Sequence, residues 1–291
     1  MKRFLMAAMI TSVVAYGGFA HADDLGDEFV APALGYTNAS PVNGGGQYQS
    51  AIITQDGAGN QASQVQSGTN LDAGQISNYA EIAQTGDFNT ATQSQDQYGY
   101  HTNNAFIAQN GSFNYAEQTQ VGTDNLAVVS QTGALNTAYQ KQYGYSNIST
   151  VSQTGAFNEA EIEFGQDGIG NVSTMTQIGS NNDAEIEYQG GIGNYSEIYQ
   201  LGSFNEAEVE YQTGNGNLAT QSQIGDNNYA EVLAQLGDYN VATQTQVGSY
   251  NIAMVSQIGS LNTSAQTQIG SYNTSTVSQL GSGNTASVLQ W

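Results

Sequence analysis

An asparagine recurs through most of this chain with alanine or serine two residues on and glutamine six residues on, as in Asn240-Val-Ala-Thr-Gln-Thr-Gln246. Twenty such units can be set out, beginning at Asn60, Asn78, Asn89 and Asn103 and ending at Asn284, and from Asn103 onward their spacing is 11 to 13 residues. Sixteen carry the glutamine six residues on; after Asn158, Asn182, Asn205 and Asn228 it comes one or two residues later. Repetition at a fixed interval over this length defines an array of small structural units and overrides any reading of the chain as a conventional globular core.

Positions 1, 3, 5 and 7 of a unit are Asn, Ala or Ser, an aliphatic or Gln, and Gln, whereas positions 2, 4 and 6 vary freely. A period of two is the signature of a strand with one constant face. Glycine at position 9 with small or polar neighbours then predicts a turn. Pro32 and Pro41 both precede the array, as ladder-bonded strands require, because proline lacks the backbone donor.

A strand and turn of eleven residues cannot bury its own constant face, but two can face each other and form one coil, with coils stacked ~4.8 Å apart. The pattern predicts an all-β fold over residues 47–291: a β-solenoid with two strand-turn units per coil and about ten coils, cross-β in character once copies assemble. Position 5 supports the pairing. It alternates between aliphatic and Gln from Ile82 to Val151, is aliphatic throughout from Ile162 to Val209, and alternates again from Gln221 to Val277 with the two sheets exchanged.

In such a stack each inward amide lies over its counterpart one coil away, so donor meets acceptor along the axis and burial leaves nothing unpaired. The ladder residues expected on this basis include Asn114, Gln120, Asn125, Gln131, Asn136 and Gln142 in one stretch. A second stretch comprises Asn240, Gln246, Asn251, Gln257, Asn262 and Gln268. Trp291 directly follows Gln290, so the last coil is expected to present an open edge, which is a template for another chain.

The first 22 residues have the form of a secretory signal: Lys2 and Arg3, an apolar run from Phe4 to Ala15, and Ala20-His21-Ala22 before a cleavage point between Ala22 and Asp23. Residues 23–46 are expected to be a flexible leader, and no later segment is apolar enough to span a bilayer. Beyond the signal, Lys141 is the one basic side chain against 25 acidic ones, which excludes nucleic-acid binding through phosphate neutralisation. The chain has no cysteine, so disulfides cannot staple it.

The stretch Gln109-Asn-Gly111-Ser-Phe-Asn114-Tyr-Ala116-Glu-Gln-Thr-Gln120, with further copies at Gln131–Gln142, Gln257–Gln268 and Gln55–Gln66, resembles the curlin repeat. The resemblance covers residues 47–290. It implies a subunit of curli, the extracellular amyloid fibres of Gram-negative biofilms, acting in adhesion and matrix formation. It also implies export through an outer-membrane pore, addressed by the segment at residues 23–46, and growth from a nucleator subunit. The chain departs from the family in its number of coils, in opening both arms with Asn, and in irregular insertions at residues 67–77 and 96–102. These departures leave open whether it is the major subunit or a nucleator.

Two surface features stand out. The triplets Glu159/Glu161/Glu163, Asp183/Glu185/Glu187 and Glu206/Glu208/Glu210 fall in alternate units and so should stack outward on one sheet. They form either a solvated acidic face or, in the sharper reading, a face whose repulsion acid or Ca²⁺ at Glu161, Glu185 and Glu208 relieves. Phe88, Phe113, Leu135, Phe157, Phe204, Tyr250 and Tyr272 each precede an Asn at the same turn and should form a column. His101 is the one histidine beyond the signal, so no triad, histidine metal site or cofactor site is expected and the chain reads as a non-enzyme. A monomeric ligand-binding solenoid, such as an ice-binding protein, is the alternative from another class; Thr90/Thr92 and Thr243/Thr245 hint at its threonine face, but Glu and Tyr interrupt it.

Overall fold

The computed structural model describes residues 13–16, 35–39, 48–69, 76–98, 102–165 and 168–291. The Ala22–Asp23 cleavage point, most of the leader and His101 lie outside the described residues. The described residues contain no helix long and apolar enough to cross a membrane.

Two sheets of 12 and 11 strands face each other. The first runs from Tyr48–Asp56 to Thr285–Gln290 and the second from Asn60–Thr69 to Thr274–Leu280, with consecutive strands alternating between them. Within each sheet the repeats pair in parallel and in register, Ala116 with Ala138 and Val129 with Val151, for example. This is the β-solenoid expected, two strand-turn units to a coil. At its amino-terminal end Val13–Tyr16 lies antiparallel against Tyr48–Asp56, and Gly35–Ala39 lies parallel against Asn60–Thr69.

Burial follows the period of two. Tyr115–Thr123 and Thr137–Tyr145 alternate between buried and half-buried positions along nearly their whole length. Three of the four inward positions of each unit are therefore constant, Asn, Ala or Ser, and Gln, with position 5 deciding the polarity of the core. In the first sheet Ile53, Ile82, Ile107, Val129, Val151, Met175 and Ile198 stack, followed by Gln221, Gln244 and Gln266. In the second sheet Gln64, Gln93, Gln118 and Gln140 stack, followed by Ile162, Ile186, Val209, Val232, Val255 and Val277. The exchange of sheets expected from position 5 is thus present, with a wholly aliphatic layer at mid-length.

Three sequence expectations are refined. The insertions at 67–77 and 96–102 are narrower than the pattern indicated: Ser67–Thr69 and Asp96–Tyr98 continue their strands and pair with each other, because backbone ladder bonds do not require the repeat motif. Residues 70–75 and 99–101 lie outside the described residues. Where glutamine comes seven residues after Asn, at Gln189, Gln212 and Gln235, a one-residue irregularity restores it to the core column. After Asn158 the described residues hold no glutamine in that slot. Phe164, fully buried, occupies the glutamine slot and pairs with Gln189, while Gln166 lies outside the described residues.

The glycine at position 9 is held by contact as well as conformation. Gly155 has φ +126°, and a Cβ there would lie 1.8 Å from the carbonyl oxygen of Gly179 in the next coil. Gly193 also has a positive φ, +64°, yet a Cβ there would meet nothing within 4 Å. Gly193→Ala should therefore lose only the left-handed backbone cost, about 1–2 kcal/mol, whereas Gly155→Ala should shift the urea midpoint several times further. Equal shifts for the two variants would contradict the contact explanation.

Candidate functional site: the axial ladders and the acidic face

The ladders begin with position 7. Gln131 Nε2 donates along the axis to Gln153 Oε1 at 2.8 Å and across the core to the carbonyl of Tyr115 at 2.8 Å. Its own Oε1 accepts from Gln109 Nε2 at 2.8 Å. Gln120, Gln246 and Gln268 repeat this geometry in their columns, each joining its axial neighbour toward the carboxyl end. Gln257 does the same to Gln279 at 2.8 Å. Both amide hydrogens are thus used, one along the rod and one across it, which is what a buried amide needs.

Position 1 forms a second kind of ladder at each corner. Asn136 Nδ2 donates to Asn114 Oδ1 at 3.0 Å and to the Gly155 carbonyl at 3.1 Å, and the Asn136 backbone N–H donates to the same Asn114 Oδ1 at 3.1 Å. Asn125, Asn240, Asn251 and Asn262 are bonded to their neighbours likewise. The Asn bond to the glycine carbonyl fixes that carbonyl inward, so the asparagine and the glycine of adjacent coils require each other.

The ladders have direction. Glutamine hydrogens point toward the carboxyl end and glutamine oxygens toward the amino end. At the first coil, Gln55, Gln64 and Gln66 consequently present buried Oε1 atoms without a donor among the described residues. At the last coils, Gln279 and Gln290 donate across the core to Thr263 and Thr274 carbonyls, and their axial hydrogens face the open end.

Phe164 interrupts the second sheet's position-7 column, and both broken ends are satisfied locally. Gln142 Nε2 turns to the carbonyls of Leu126 at 2.9 Å and Asn147 at 3.2 Å. Beyond the break, Gln189 Oε1 accepts from the Ser173 hydroxyl at 2.9 Å. The serine alternative at position 3 thus substitutes for a missing amide. No such rescue exists where the first sheet changes from Ile198 to Gln221, and Gln221 Oε1 is left without a partner.

The acidic triplets do stack outward on the second sheet, Glu159 with Asp183 and Glu206, and Glu161 with Glu185 and Glu208. Lys141 sits one coil earlier and reaches Glu161 at 3.3 Å and Glu163 at 3.4 Å. The central row extends further than the triplets indicated, to Glu231, which is only 5 % exposed and accepts from the Tyr229 hydroxyl. Within the row assigned to calcium, Glu161, Glu185 and Glu208 lie in register on successive coils. Among the described residues, Glu208, Glu210 and Glu231 form a trio whose carboxylate oxygens lie within 4.8 Å of one another. Beside them Glu161, Glu163, Glu185, Glu187, Tyr188 and Tyr211 line an open groove of about 340 Å³.

Burial, followed by the charges of Glu187, Glu161 and Glu208, raises the Glu185 carboxyl to about 7. Burial, followed by Glu159 and Glu208, raises Asp183 to about 6. Repulsion was legible in the stacking; the larger contribution of burial was not. A carboxyl raised on folding binds more protons in the folded state, so stability falls as pH climbs from the unfolded value through the folded one. The urea midpoint should decline between about pH 4.5 and 7, and Glu185→Gln should flatten that decline. A midpoint rising over this range would overturn the assignment.

The column Phe88, Phe113, Leu135, Phe157, Phe204, Tyr250 and Tyr272 also forms as expected at one corner, all with φ between 57° and 62°. Phe88 stacks on Phe113 with ring centroids 5.0 Å apart, and Tyr250 on Tyr272 at 5.1 Å.

A two-sheet parallel solenoid whose interior is cross-linked by columns of identical amides defines a class of repeat protein with a structural purpose. Within that class, the curlin associated repeat matches this chain three times, at residues 101–133, 122–155 and 267–290. No curated protein matches the chain closely enough to count as a relative. Repeat family and fold together fit a curli-type structural subunit and point away from an enzyme.

Replacing Gln131 with Met, similar in shape, would strand Gln109 Nε2 and Gln153 Oε1 in the core. Each orphaned buried group costs ~1–3 kcal/mol, so Gln131→Met should destabilise the fold by about 3 kcal/mol in urea titration. A near-neutral substitution would show that the ladder contributes register and no stability.

Proposed function

We propose that this chain is a building block of extracellular curli-like fibres, adding copies end to end, with a place in cell adhesion and biofilm matrix. The observation that carries the proposal is the complementarity of the two ends. In the first sheet an acceptor lies waiting at Gln55, and the donor end of the same column lies at Gln290. With Val13–Tyr16 removed along with the signal, a copy stacked in register would set Gln290 against Gln55 and Val288 against Ile53 in the first sheet, and Gly35–Ala39 would take the place between Thr274–Leu280 and Asn60–Thr69 in the second.

The family resemblance supports export as a signal-bearing precursor cut between Ala22 and Asp23, passage through an outer-membrane pore guided by residues 23–46, and initiation by a separate nucleator. A nucleator role for this chain itself remains the second reading. The test is to dilute the full chain out of denaturant and follow thioflavin fluorescence and electron micrographs. Fibres with a 4.8 Å meridional repeat are expected. A folded chain that stays monomeric would refute the fibre reading, and rapid seeding of another curlin without self-growth would make it the nucleator.

A further inference from the structure

The left-handed residue before each corner asparagine offers a comparison within one molecule. At the second corner it is Asp124, Ser146, Gly170, Gly193 and Gly216 in successive coils, small or polar side chains suited to a positive φ. Asn181 and Asn227 show that the first corner accepts such residues too. Bulky side chains at these positions therefore carry a left-handed backbone cost, and the turn itself does not ask for them. Nor does the core, since Tyr239, Tyr250, Leu261 and Tyr272 are all exposed, Tyr272 to 76 %.

These four side chains fall in a distinctive part of the rod. Residues 239–291 contain no charged side chain, whereas the 25 acidic residues all lie before them, the last being Asp238. Tyr250 and Tyr272 project from one corner, next to exposed Val247 and Ile269; Tyr239 and Leu261 project from the other, next to exposed Ile258 and Leu280. The charge-free end thus has an apolar ridge along each of two opposite edges. Elsewhere a second acidic rod would be repelled; here it would not. The ridges repeat once per coil, so a surface able to engage every side chain in turn must have the same axial rise, and another copy of this chain has it.

We propose that residues 239–291 form a side-by-side docking surface for a second copy of this chain, seated on the ridges Tyr250/Tyr272 and Tyr239/Leu261. This contact runs along the rod and does not depend on the end-to-end joint.

The test is a fourfold variant, Tyr239→Asn, Tyr250→Asn, Leu261→Asn and Tyr272→Asn. Asparagine is native to these turns and relaxes the left-handed backbone, so the variant should fold at least as well as the parent. Mass per length is measured by scanning transmission electron microscopy and elongation rate by thioflavin fluorescence. The parent should show at least twice the mass per length of a single rod, and the variant that of a single rod with an elongation rate within about twofold. A single-rod value for the parent, or an unchanged value for the variant, would overturn the proposal. Phe88→Asn with Phe113→Asn, on the same column but outside the charge-free residues 239–291, should leave mass per length unaltered; an equal loss there would overturn the assignment to the charge-free end. If the full chain forms no fibres, sedimentation velocity decides instead. A parent dimer that the fourfold variant abolishes would uphold lateral docking while the fibre reading fails, and monomers throughout would overturn both.

Discussion

Everything in this molecule depends on a side-chain amide finding its copy one coil away. A buried amide without a partner costs as much as several methylene groups contribute, so an interior rich in Asn and Gln is tolerable only if the columns are continuous. Continuity demands strands that are parallel, in register and evenly spaced. It also demands that the turn between them have constant length, and the inward glycine carbonyl bonded by Asn136 and its equivalents shows the turn being tied to the ladder. The glycines, the strands and the absence of proline from the array are consequences of that one requirement.

The two kinds of core do different work. At mid-length the aliphatic layer from Val151 to Val209, with Phe164 beside it, removes apolar surface from water and resembles an ordinary hydrophobic core. Toward each end the amide columns take over, and their contribution is specificity of position more than adhesion. The most acidic surface lies over the apolar middle, where the core is best able to withstand repulsion. The carboxyl-terminal coils, held mainly by ladders, carry no charge at all.

Much of this was legible because the chain says the same thing twenty times. The period of two identified the buried face, and position 5 revealed which sheet stacks Gln, down to the exchange around Ile162 and Gln221. The aromatic column followed from counting back one residue from each Asn. What single units could not reveal depended on neighbours in space. Phe164 takes a glutamine slot because its strand ends early, and Ser173 answers for the gap from the opposite sheet. Lys141 becomes a partner for Glu161 and Glu163 only when two strands from alternate units are laid side by side. Glu231 is buried by its surroundings although its motif matches that of the half-buried Glu161, Glu185 and Glu208.

The exchange of Gln and aliphatic columns between the sheets has one more consequence. A strictly periodic rod is degenerate: any coil fits on any other, and two chains could join with an arbitrary offset or thread a strand into the wrong level. Because the Gln column occupies one sheet in the first half and the other sheet in the second, each half of the rod has its own combination of neighbours. An offset of half the molecule would set Gln against Ile or Val on both sides at once, leaving several amides dry and unpaired. The repeat supplies the building material, and this asymmetry works like a vernier, giving an otherwise uniform ruler a single position at which its marks coincide.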